Sequence, residues 1–141
     1  MIRKASAVWR GDLKGGKGTF SMGSGALSNT PYSFGTRFEE APGTNPEELI
    51  AAAHAACFSM ALSAQLGGMG ITPESVSTTA TVTLEKTDAG FAITESHLDN
   101  VTKIPGGDKA KFEQAANNAK AGCPVSKALS TKITLTTKLE T

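Results

Sequence analysis

The apolar stretch that begins at Pro46 and runs to about Leu66 constrains this chain more than any other. It reads Glu47-Glu48-Leu49-Ile50, then Ala51-Ala52-Ala53-His54-Ala55-Ala56-Cys57-Phe58-Ser59-Met60. Asn45 can cap its start, Pro46 fits the first helical position, and Glu48 stands where a capping box closes. Gly67-Gly68 supplies the stop. Polar residues within it are few: His54, Ser59, Ser63 and Gln65. A helix apolar on nearly all sides is buried on nearly all sides. A chain of 141 residues has little material to surround one. The helix therefore points to a partner subunit.

The remaining elements group around it. Residues 4–10 alternate as a strand, Gly15-Gly16-Lys17-Gly18 turns, and 19–22 is short and extended. Tyr32, Phe34, Thr36 and Phe38 fall on one face of a further strand, with Arg37 on the other. After the helix, 76–84 and 91–101 alternate as a pair about the Thr87-Asp88-Ala89-Gly90 turn. Asp108 caps a polar helix ending at Gly122, Pro124 opens a short helix to about Ser130, and 132–139 is a last strand. The order is three strands, a helix, two strands, two helices and a strand. Segregation of this kind predicts an α+β fold in one domain, 1–141.

Composition narrows the function classes. Hydrophobic residues make up 39% and charged residues 19%, which excludes disorder. Fourteen Lys plus Arg against 13 Asp plus Glu leave a net charge of +1, no basis for nucleic acid or an anionic membrane as partner. No apolar core of a secretory signal precedes Arg10. No apolar run is read as approaching the roughly 18 residues of a membrane span. The expectation is a cytoplasmic protein, where a cysteine pair is catalytic or redox-sensing more often than structural.

The chain has two cysteines, and both have unusual surroundings. Cys57 lies mid-helix, and a lone cysteine there reads first as a small core hydrophobe. His54, three residues earlier, shares its face. An imidazolium would lower the thiol pKa, but a hydrogen-bonded core histidine is the stronger reading. Cys123, in Gly122-Cys123-Pro124, sits at a helix start, where amides and the macrodipole favour a thiolate. Helix physics alone makes Cys123 the more acidic thiol. It does not say which thiol meets a substrate first.

Arg37 stands in an otherwise uncharged segment and could hold a thiolate or orient a peroxide oxygen. Glu48 has its capping role. From Glu48 to Cys57 the helix rises about 13 Å and turns half out of phase. The two cannot meet within one chain, so a Glu48 that serves Cys57 comes from a second subunit. His54, Cys57, His97 and Cys123 could compose a Cys₂His₂ metal set, but no C-x-x-C pair supports it. No phosphate-binding glycine loop and no nucleophile elbow appears.

Thr36-Arg37-Phe38-Glu39, Gly43-Thr44-Asn45-Pro46-Glu47-Glu48-Leu49, Ala52-Ala53-His54-Ala55-Ala56-Cys57-Phe58-Ser59-Met60 and Lys120-Ala121-Gly122-Cys123-Pro124-Val125-Ser126 together resemble the osmotically inducible protein C family. They are closer to that branch than to its sister, the organic hydroperoxide resistance proteins. The resemblance implies an intertwined homodimer with a buried central helix and sites at the subunit interface. It implies a thiol-dependent peroxidase acting on organic hydroperoxides, reset by a dithiol such as a dihydrolipoyl group, without cofactor or metal. It makes Cys57 the attacking thiol and Cys123 the resolving thiol, with Arg37 and Glu48 as the charged pair. The competing class is a non-enzymatic redox sensor or apolar-ligand binder using the same thiols.

Overall fold

The computed structural model describes all 141 residues, which gather into two compact units, Met1–Leu49 and Ile50–Thr141. In the first, strands β1 (Ala5–Arg10), β2 (Lys17–Met22) and β3 (Thr30–Tyr32) form an antiparallel sheet in chain order. The register sets Gly18 between Trp9 and Tyr32. A Cβ at Gly18 would come within 2.5 Å of the Tyr32 ring. Its absence lets the Trp9 and Tyr32 rings meet across the strand, with centroids 5.5 Å apart.

The strand expected over residues 32–38 is corrected. β3 ends at Tyr32, and Phe34–Phe38 forms helix α1. Ser33 caps it: Thr36 N–H donates to Ser33 Oγ at 3.3 Å, and Ser33 N–H donates to Thr36 Oγ1 at 2.9 Å. Phe34 and Phe38 satisfy both periods, being two steps of alternation and also one helical turn apart. Their ring centroids lie 5.0 Å apart in the helix. The local capping box decides between the two readings, and Arg37 therefore stands on a helix.

Helix α2 (Pro46–Gly68) starts where the sequence indicates. Asn45 Oδ1 accepts from Glu48 N–H at 2.8 Å, and Asn45 Nδ2 donates to the Thr36 carbonyl at 2.8 Å. The helix runs past Gly67. Gly70, at φ +74°, turns the chain, and Ile71 N–H closes on the Leu66 carbonyl at 2.9 Å.

Within the second unit, α2 buries a stripe one turn apart: His54, Phe58, Leu62 and Leu66. The last three share a core with Leu98, Ile104, Phe112, Ala115, Ala116 and Ala119. Strands β4 (Ser75–Thr87), β5 (Gly90–Lys103) and β6 (Lys132–Glu140) form its sheet in that order. β4 and β5 pair antiparallel through a tight turn. β5 and β6 pair parallel, because α3 (Lys109–Gly122) and α4 (Pro124–Ala128) carry the chain back between them. Ser96, Leu98, Asn100 and Thr102 of β5 alternate inward.

The single chain leaves one side of α2 open, as its length suggested, and one expectation for the helix changes. It is covered on one face only: Ala52, Ala53, Ala56, Met60 and Ala64 are exposed, Met60 at 76%. The changed expectation is the apolar run: at 23 residues with a mean hydropathy of 1.5, α2 is long and apolar enough to cross a membrane by length and composition. Counting unbroken apolar residues stops at His54, whereas hydropathy averages across it. The stripe packed against α3 and β5 is that of a core helix.

Candidate active site

The thiols of Cys57 and Cys123 meet. Their Sγ atoms lie 2.7 Å apart, and both cysteines are free. Cys123 is fully buried at the joint between two helices. Its N–H closes α3 on the Ala119 carbonyl at 2.9 Å, and its own carbonyl accepts from Lys127 N–H at 3.0 Å in α4. Pro124 is the first residue of α4, which accounts for the break: proline tolerates a helix start but not a helix interior.

The amides of that start are not used as the sequence suggested. The Cys123 side chain makes no capping bond to α4. Val125 N–H instead donates to Cys57. Burial pushes the Cys57 thiol up from its ordinary value, the nearness of Cys123 adds to this, and the Val125 amide pulls the other way. The helix start thus serves the thiol on α2, across from it.

His54 is a hydrogen-bonded core histidine. It is 0% exposed, with Nδ1 2.7 Å from Ser96 Oγ and Nε2 2.8 Å from Ser126 Oγ. Burial lowers its pKa, so the ring is neutral at physiological pH and supplies no imidazolium to Cys57. His97 bonds Thr134 through Nδ1 at 2.6 Å. No group of three or more His, Cys, Asp or Glu side chains gathers as metal ligands.

The charged pair is a correction. Arg37 binds Glu47, not Glu48: Nη2 to Oε1 at 2.8 Å, and Nε to the two oxygens at 3.1 and 3.3 Å. Glu47 is 8% exposed, whereas Glu48 is exposed and gives its N–H to the cap. Adjacent helical residues point about 100° apart, so only one of the two can face α1. The pair lies in the first unit and the thiols in the second.

Residues 38–138 match the family described as OsmC-like protein. This chain belongs to the OsmC family. It is 56% identical to Peroxiredoxin OsmC of Escherichia coli (strain K12) over 138 residues, 98% of this chain and 96% of that one. It is 35% identical to an organic hydroperoxide resistance protein of Xanthomonas axonopodis pv. citri over 98 residues, 69% of this chain and 67% of that one. Among solved structures it superposes on OhrB of Bacillus subtilis with a TM-score of 0.70 and 26% identity, covering 97% of this chain and 98% of the other. For an OsmC protein of Legionella pneumophila the TM-score is 0.72 at 25% identity, covering 100% and 99%. The α+β reading of this OsmC-family chain stands with them.

Four participants escaped the sequence. Glu47 stands beside Glu48, and only the packing of α2 against α1 shows which of the two meets Arg37. Val125 acts through its backbone, which carries no side-chain signal. Ser96 and Ser126 are common residues on separate elements, and only the fold brings them to His54.

Proposed function

We propose that this chain is a thiol peroxidase that reduces organic hydroperoxides to alcohols in oxidative and osmotic stress defence. The observation that carries this is the 2.7 Å approach of the two sulfurs, one half-buried and one buried. Its relatives named Peroxiredoxin OsmC and organic hydroperoxide resistance protein support the same chemistry. Cys57 thiolate attacks the terminal peroxide oxygen; the O–O bond breaks and the alkoxide leaves, protonated as the alcohol. Cys57 is then a sulfenic acid. Cys123 attacks that sulfur, water leaves and the disulfide forms. An external dithiol, such as a dihydrolipoyl group, takes the disulfide by exchange and is itself oxidised.

Arg37 belongs to this proposal as the cation for thiolate and substrate, held by Glu47 in the role first given to Glu48. So does a homodimer, because the apolar face of α2 left open by its own chain calls for a cover. A cytoplasmic location suits thiols that must be returned to the reduced state after each cycle. The test is sustained turnover of cumene hydroperoxide with excess dihydrolipoamide. A protein that forms one disulfide and then stops is the redox sensor instead.

A further inference from the structure

His54 and Cys57 stand three residues apart on α2, and Cys123 and Ser126 stand three apart across the start of α4. The two pairs meet in antiparallel register. Cys57 meets Cys123 with sulfurs 2.7 Å apart, and His54 Nε2 meets Ser126 Oγ at 2.8 Å. The first contact carries the proposed chemistry. The second is not consumed by it, yet it is the more deeply buried: His54 is 0% and Ser126 7% exposed.

An imidazole in a core is costly unless both ring nitrogens are bonded. Here both are, Nδ1 to Ser96 on β5 and Nε2 to Ser126 on α4, and no buried side-chain polar atom lacks a partner. A neutral ring has one donor and one acceptor, so one serine donates to it and the other accepts. A leucine would fill the same space without that demand. What the histidine adds is direction: it fixes α4 to α2 and to the sheet at one rotation.

Helix α4 needs such fixing. It has five residues, no side-chain cap and a proline at its first position. So short a helix is not held by its own ladder. Its rotation decides whether Cys123 Sγ faces Cys57. We propose that His54, through Ser126, is a positioning residue that holds α4 in register so that Cys123 stays in line with Cys57 for disulfide formation. This rests on the thiol-peroxidase reading. His54 touches no reacting atom. In the step it assists, Cys123 sulfur attacks the sulfenic sulfur of Cys57, the S–O bond breaks, and oxygen leaves as water with the thiol proton. The oxidising equivalent is the one the hydroperoxide delivered.

The experiment is single turnover. Reduced protein receives one equivalent of cumene hydroperoxide, and sulfenic acid is trapped with dimedone over time. Ser126→Ala should form sulfenic acid within about twofold of the parent rate but resolve it about tenfold more slowly. His54→Leu should behave alike, the double variant should be no slower than His54→Leu, because the His54–Ser126 contact is already lost in either single variant, and His54→Gln should recover part of the rate. A second readout needs no peroxide. The Cys57–Cys123 disulfide equilibrated against dithiol buffers should be about tenfold easier to reduce in Ser126→Ala, about 30 mV for a two-electron couple.

Parent-like resolution and potential in Ser126→Ala would overturn the proposal. So would equal slowing of both steps, which means general loosening. If His54→Leu fails to fold, Ser126→Ala decides alone, since it removes one oxygen atom. A parent that forms no sulfenic acid with hydroperoxide sinks the peroxidase reading, and the potential measurement then still judges the positioning role.

Discussion

Arg37 and Glu47 form a two-pronged ion pair across ten positions of chain, with three contacts between 2.8 and 3.3 Å. The carboxylate is almost wholly buried, and the guanidinium is partly open, with side-chain exposures of 10% and 38%. A buried acid of this kind fixes the cation's plane as well as its place. If Arg37 steadies the thiolate and the substrate, Glu47→Gln should lower kcat/KM for cumene hydroperoxide about tenfold or more, while Glu48→Gln should change it less than about twofold. A loss confined to Glu48→Gln would return the assignment to the sequence's choice, and equal losses would remove Glu47 as the specific partner.

That contrast marks where the sequence could be read and where it could not. Asn45-Pro46 announced the start of α2, and Asp108 and Pro124 announced those of α3 and α4, because caps and proline act within four residues. Cys57 and Cys123 were picked out by their placement on helices and by resemblance. The choice between Glu47 and Glu48 depends on which side of α2 faces α1, a tertiary fact. The strand expected at residues 32–38 failed for a local reason: aromatics at 34 and 38 fit two periods, and the Ser33–Thr36 capping box outweighed alternation. That α2 would need a cover beyond its own chain was legible from its apolarity and the chain's length, but which of its faces stays open was not, since that depends on how α3 and β5 pack on it.

The roles of the two thiols separate on mutation. Cys57→Ser should abolish turnover with hydroperoxide and dithiol. Cys123→Ser should consume about one equivalent of peroxide and stop, leaving a dimedone-reactive sulfenic acid at Cys57. Full dithiol-driven turnover in Cys123→Ser would remove it from the cycle. Activity in Cys57→Ser would reverse the order of the two.

The first step should be faster in alkali. Burial raises the Cys57 thiol, and the thiolate is the nucleophile. The second-order rate constant for the first equivalent of peroxide should therefore keep rising with pH past the ordinary thiol value of about 8.5. Rapid-mixing kinetics on Cys123→Ser isolate this step. A plateau already reached at pH 7 would mean that a cation overrides the burial.

His54 should make the fold sensitive to acid. Its folded pKa is lowered by burial, while the unfolded chain titrates near the ordinary value of about 6.5. Between the two values the unfolded state binds more protons, so this contribution to stability is complete above about pH 6.5 and is lost as pH falls through the folded value. Urea midpoints at pH 8 and pH 5 should fall further apart in the parent than in His54→Gln. An identical drop in both would assign the acid sensitivity to other groups.

The open face of α2 should be an interface between two copies of the chain. Ala53, Ala56, Met60 and Ala64 recur at helical spacing on its exposed side. Small residues let another backbone approach closely, and Met60 is a flexible apolar side chain left 76% exposed. A face of this kind in water needs a partner. An intertwined dimer should bury more than about 2,000 Å² in total, as obligate interfaces do. Its thermal midpoint should then rise with protein concentration. Met60→Glu sets a charge into the contact on both sides of the two-fold axis, so it should shift the sedimentation profile toward monomer and lower that midpoint. A parent that sediments as a folded monomer and keeps its peroxidase activity on dilution would sink the interface. So would a Met60→Glu variant that sediments and melts like the parent.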